Sequence, residues 1–178
     1  MPLVPYEQTL NYSTNWSASQ NTVANSNVAT VLSPTNPDFA IPAGFLAIGS
    51  TFRINAVCYF STTGTPTLNV GVYLNGVATA LGTTGAITTT NNAANQAFNL
   101  EYWIQCRSLG TSGSLFSGGV ACGIAGQTTS YTMPSGAANG TTAINTTVAN
   151  TLTLGATWSV AAVGNTITCF IWTIEQAL

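Results

Sequence analysis

Catalysis needs groups that titrate, attack or ligate, and this chain of 178 residues carries few of them. It has no histidine and no lysine, two arginines (Arg53 and Arg107), four acids (Glu7, Asp38, Glu101 and Glu175) and four cysteines (Cys58, Cys106, Cys122 and Cys169). Without an imidazole there is no triad base and no ready proton shuttle near neutral pH. The four acids fall in four separate segments, whereas a glycosidase sets two carboxylates about 5–9.5 Å apart. No glycine-rich loop leads into a lysine or a helix, as a phosphate cradle requires. The cysteines are dispersed with no CxxC, and with no histidine they make a poor zinc set. The expectation is no enzyme, no cofactor and no metal. Each cysteine falls mid-strand at an inward position, where a free thiol behaves as a small hydrophobe. Pairing between facing strands stays open, because spacing alone does not fix Cα separations.

Composition narrows the partners further. Only 3% of residues are charged, against about 25% in an ordinary domain. Hydrophobic residues make up 46%, too apolar for a disordered chain. The exterior must therefore be wetted by Thr, Ser, Asn and Gln. A net charge of −2 gives little colloidal repulsion, which points to a protein that lives inside an assembly. Two arginines neutralise too few phosphates for nucleic-acid binding. No run approaches the roughly 18 apolar residues of a membrane span, and the opening MPLVPYEQTL lacks the basic and apolar regions of a signal peptide. The expectation is no nucleic acid and no membrane.

The elements that position these residues are strands. Phe52, Ile54, Ala56, Cys58 and Phe60 share one parity, as do Leu68, Val70, Val72 and Leu74. A period of two buries one face and wets the other, so residues 50–76 read as a hairpin turning at Pro66. Residues 23–32 read as a first strand, and Asn75-Gly76 as a turn, followed by a short strand over 86–90. Phe98, Leu100, Tyr102, Ile104 and Cys106 form the inner row of the clearest strand, with Glu101, Trp103 and Arg107 on its outer row. A strand over 115–124 returns, with Phe116, Val120, Cys122 and Ile124 in phase and Gly118, Gly119 and Gly123 marking a bulge or a close backbone approach. A loop follows over 134–140, then a strand or its approach over 141–148. Residues 152–160 and 167–171 read as a second hairpin. Phe170, Trp172 and Ile174 make the last strand apolar on its second face, which implies cover on both sides, by the N-terminal arm or another subunit. Residues 1–22 do not alternate and carry Pro2, Pro5, Tyr6, Tyr12 and Trp16. They read as an extended arm bearing its own anchors. No stretch has a helical period. The fold expected is all-β: a jelly-roll-like antiparallel β-sandwich of about eight strands over 23–178, with the arm over 1–22. An immunoglobulin-like sandwich ranks second, since its Cys…Trp…Cys spacing is missing.

Three phrases bear a resemblance: Gly49-Ser50-Thr51-Phe52-Arg53, Ser61-Thr62-Thr63-Gly64-Thr65-Pro66-Thr67-Leu68, and Asn150-Thr151-Leu152-Thr153-Leu154-Gly155-Ala156-Thr157-Trp158. In these the chain resembles the small β-rich virion proteins of tailed bacteriophages, the capsid decoration (cement) proteins and related fibre modules. The resemblance runs over residues 40–175. It implies a jelly roll, a homotrimer, and a place on the outer capsid surface against the major capsid protein, after synthesis in the host bacterial cytoplasm. It carries no catalytic residue. The contact residues expected are Pro2, Pro5, Tyr6, Tyr12 and Trp16 of the arm, with Trp103 and Trp172. The alternative is a receptor- or glycan-binding module of a phage tail or head fibre.

Overall fold

Strict alternation over residues 51–61 produces strict alternation of burial, with Phe52, Ile54, Ala56, Cys58 and Phe60 all inside. A computed structural model describes residues 12–13, 21–33, 39–123, 130–136 and 140–177. Its strands are β1 (Tyr12–Ser13), β2 (Asn21–Ala24), β3 (Thr30–Val31), β4 (Phe39–Ile41), β5 (Thr51–Ser61), β6 (Thr67–Leu74) and β7 (Thr79–Thr83). They continue as β8 (Ile87–Thr88), β9 (Gln96–Ser108), β10 (Gly113–Cys122), β11 (Tyr131–Pro134), β12 (Thr141–Ile144), β13 (Asn150–Trp158) and β14 (Thr166–Ala177). Among the described residues there is no helix.

Two antiparallel sheets make a β-sandwich. The larger runs β1-β14-β5-β9-β10-β11, with β2 also on β14 and β12 also on β10. The smaller runs β3-β13-β6-β7, with β4 on β13 and β8 on β6. β5 lies beside β14 in one sheet and β6 beside β13 in the other, the nested double pair from which a jelly roll is wound. One continuous core fills the space between the sheets, from Phe52, Phe60 and Phe98 on one side to Leu68, Val72, Leu154 and Trp158 on the other. The Phe60 and Trp158 rings meet across it at 6.4 Å.

Several expectations need correcting. The two expected hairpins are arches between sheets: β5 and β6 belong to different sheets, as do β13 and β14. Each of these strands has a full apolar row, and facing rows across the sandwich bury both at once. Turn residues say that the chain reverses, but not whether it returns in its own sheet. Asn165, fully buried, ties the two arches: its Oδ1 accepts from Thr63 N (2.9 Å) and its Nδ2 donates to Val160 O (3.0 Å). Among the described residues, the consecutive strands that pair within one sheet are β6–β7, β9–β10 and β10–β11. The first turns through the four residues 75–78, since Leu74 pairs with Thr79, and Asn75 and Gly76 enter it with positive φ of 55° and 82°, the left-handed region that Asn and Gly tolerate best. The expected first strand over 23–32 divides between the sheets as β2 and β3. β7 and β11 were not expected at all.

The last strand corrects a larger inference. Its register against β5 slips between Cys169 and Ile171. The bulge makes Phe170 the extra residue and inverts the parity beyond it. Ile167 and Cys169 before the bulge, and Trp172 and Ile174 after it, therefore all enter the same core, while Ile171 turns out. The strand is not apolar on two faces, and no cover over a second face is needed. Tyr12–Ser13 and Asn21–Ala24 instead pair along its edge. Pro2, Pro5, Tyr6 and Trp16 lie outside the described residues.

The smaller sheet covers its own exterior. Gly71 and Gly155 are cross-strand partners, and a Cβ at either would strike the Tyr73 ring. That ring lies over both glycines and is itself buried, so this sheet presents little apolar surface.

Candidate binding face

Among the described residues nothing covers the outer face of the larger sheet, and four of the chain's six charged side chains are on it. Register builds the face in rows across β10, β9, β5 and β14: Gly118, Trp103, Arg53 and Glu175 in one, and Val120, Glu101, Asn55 and Thr173 in the next. Flanking rows bring Phe116, Gln105 and Thr51 on one side and Cys122, Asn99, Val57 and Ile171 on the other. Arg107 follows Gln105 on the same parity. Both arginines, Glu101 and Glu175 thus share one face; Glu7 and Asp38 lie outside the described residues.

Three of these four groups already have partners on the face. Glu101 Oε1 accepts from Arg53 Nε at 3.0 Å and from Trp103 Nε1 at 3.2 Å. The Arg53 guanidinium also sits 5.6 Å from the centre of the Trp103 ring, and that of Arg107 sits 5.1 Å from the centre of Phe116. Arg53 and Glu101 are each about two-fifths exposed, so their bridge is worth about 0–1 kcal/mol of stability. Its larger effect is to fix Trp103, which stays 41% exposed, with its edge hydrogen-bonded and a cation against its ring.

Gly118 shapes the surface beside that ring. A Cβ there would meet nothing nearer than Met133 O at 3.9 Å, so the missing side chain leaves a notch between Trp103 and Phe116. The notch holds about 270 Å³ and is lined by Thr51, Trp103, Ile104, Gln105, Phe116 and Gly118. A second depression of about 210 Å³ runs along Asn55, Val57, Asn99, Glu101, Val120 and Cys122. Gly140 closes one end of the face, where an added Cβ would lie 2.6 Å from the Phe116 ring.

Trp103 is therefore where its outward parity placed it, amid Arg53, Glu101 and Phe116. Trp172 is not: at 4% exposure it is a core residue, withdrawn from any contact surface by the bulge, with its indole N–H unpartnered among the described residues. Cys122 corrects the cysteine reading, being exposed on the outer face while Cys58, Cys106 and Cys169 are buried. Phe116, Gly118 and Val120 were missed as surface residues. The signal was their parity opposite Leu115, Ser117 and Ala121, obscured by two adjacent glycines. Among the described residues no cluster of three or more His, Cys, Asp or Glu side chains could hold a metal, and no helix is long and apolar enough to cross a membrane.

Neither a family model, nor a curated protein, nor a solved structure matches this chain.

Proposed function

We propose that the chain is a virion structural protein, a capsid decoration protein that docks on the outer surface of a shell of major capsid protein and works as a homotrimer. One observation carries this reading: the open outer face of the larger sheet gathers Trp103, Phe116, Val120 and Ile171, all exposed, around charges that balance on the same face. Fixed aromatic anchors beside an apolar notch form the kind of surface that buries well against a protein partner. The resemblance of residues 40–175 to phage decoration proteins supplies the kind of partner. Three such faces held rigidly act at high effective concentration, so that modest single contacts sum to firm attachment. Binding only the assembled shell stabilises it by linkage.

Imaging the virus particle that carries the protein tests this directly. Regular three-fold density on the outer shell is the expected result. Trp103→Ala/Phe116→Ala should lower occupancy by at least tenfold while the soluble protein keeps its fold. Density confined to a tail or fibre would reject a shell role. The second reading, a receptor- or glycan-binding module of a phage fibre, draws on the fixed Trp103 ring beside Gln105 and Thr51. Glycan-array binding by the wild type that is lost in Trp103→Ala would favour it.

A further inference from the structure

Away from the outer face, β5 and β14 set two thiols opposite each other. Cys58 and Cys169 are register partners, and both are fully buried, so they project from the same side of the sheet. Directly opposed residues in an antiparallel pair have Cα atoms about 4.5 or 5.5 Å apart, according to pair type. Both separations lie inside the roughly 4.4–6.8 Å range of disulfides. The other cysteines do not compete. Cys106 N donates to Ser50 O at 2.9 Å, which places Cys106 near the far end of β5, about 26 Å from Cys58 at strand rise. Cys122 faces outward.

The thiols already interact. Contact with Cys169 and, after it, burial hold the Cys58 thiol well above its ordinary range. The Cys169 thiol donates to Ile171 O at 3.3 Å across the bulge.

We propose that Cys58 and Cys169 are a built-in disulfide site, closing across β5 and β14 when the chain folds in the presence of a small disulfide oxidant such as glutathione disulfide. The Cys58 thiolate attacks one oxidant sulfur and expels the first glutathione thiolate, leaving a mixed disulfide. The Cys169 thiolate then attacks the Cys58 sulfur and expels the second. The two protein thiols lose two protons and two electrons, and the oxidant leaves as two glutathione thiols. Exchange belongs to the folding chain, because a buried, protonated thiol is a poor nucleophile. The bond would close most of the domain into one loop, which restricts the unfolded chain strongly.

The full chain is refolded from urea, once with a mixture of reduced and oxidised glutathione and once with reductant alone. In the oxidised sample two thiols should escape alkylation, the mass should fall by about 2 Da, and peptides carrying Cys58 and Cys169 should be joined. The thermal midpoint should rise by about 10 °C. Four free thiols, a bond to Cys106 or Cys122, or a lowered midpoint would each overturn the proposal. The peptide map of the unaltered chain decides the matter without any cysteine variant.

Discussion

Gly118 and Gly119 are neighbours on β10, and adding one methyl to each should change stability in opposite directions. At Gly119, which faces the core, a Cβ would lie 2.6 Å from Tyr102 Cδ2 and 2.7 Å from Tyr102 Cα, and would also press on Glu101 O. Two of those three atoms are backbone of β9 and are held by the sheet ladder. The ring cannot swing away freely either, because the Tyr102 hydroxyl donates to Leu81 O of the opposite sheet at 2.7 Å. Overpacking of this kind costs about 1–3 kcal/mol, and losing the intersheet hydrogen bond adds about 1 kcal/mol. Restricting the unfolded chain returns about 0.4–1 kcal/mol. Gly119→Ala should therefore destabilise by about 2–3 kcal/mol. At Gly118, on the outer face, the nearest atom to a new Cβ is Met133 O at 3.9 Å, an ordinary contact. Only the unfolded-state term remains, so Gly118→Ala should stabilise by about 0.5 kcal/mol.

Urea unfolding followed by tryptophan fluorescence reads both variants. Gly119→Ala should lower the midpoint and Gly118→Ala should raise it slightly, with unchanged slope. In thermal melts the first should fall by about 4–12 °C. Equal effects in the two variants would refute the register of β10 against β9, and with it the outward placing of Phe116 and Val120.

Other outcomes follow from the same structure. Asn165→Ala leaves Thr63 N–H and Val160 C=O without their partner inside the paired arches and should cost about 2–4 kcal/mol in chemical unfolding. Burial raises the Tyr102 hydroxyl to about 12, with Ser117 opposing slightly, and burial also raises Tyr73 and Cys106; Cys169 and burial raise Cys58. A group bound more tightly to its proton in the fold stabilises below its unfolded pKa and loses that contribution as pH climbs. Stability should hold through neutral pH and fall from about pH 9 upward, with Tyr102 alone accounting for about 2 kcal/mol on the way to pH 12; Tyr102→Phe should flatten the curve between pH 10 and 12. Arg53→Ala should shift stability by less than about 1 kcal/mol but free the Trp103 ring, visible as a changed tryptophan emission in the folded state.

The strands were legible because their period is nearly unbroken. β5 and β9 alternate residue by residue, and their burial follows the letters. What parity does not carry is sheet membership. The sequence of β5 is equally consistent with β6 beside it or facing it, and only summing the apolar rows of all the long strands shows that they must close on one core. The bulge at Phe170 was illegible for a different reason. Ile167, Cys169, Ile171 and Phe170, Trp172, Ile174 are both well-formed alternating sets, and only the partner strand tells which residue is extra. The candidate face was half legible: Glu101, Trp103 and Arg107 could be placed outside from one strand alone. Arg53 and Phe116 joined them only through the register of β9 with its two neighbours.

A surface that is to be covered by a partner faces a particular difficulty with charge, since an ion buried without a partner costs several kcal/mol. On the outer face Glu101 already takes two donors from its own sheet, and Arg53 and Arg107 already rest on aromatic rings. A molecule laid over these three meets charges whose partners are in place and asks for no matching ions there; Glu175, exposed on the same face, is the charge that docking must leave to solvent. The rings are also held before contact, so little side-chain freedom remains to be lost on docking. Attachment through such a face should depend weakly on salt, because its two arginines and two glutamates balance and leave little net charge for salt to screen. A neutral, pre-paired, ring-bearing sheet is consistent with adhesion to a surface that is itself largely polar and uncharged, and binding that collapsed between low and moderate salt would contradict it.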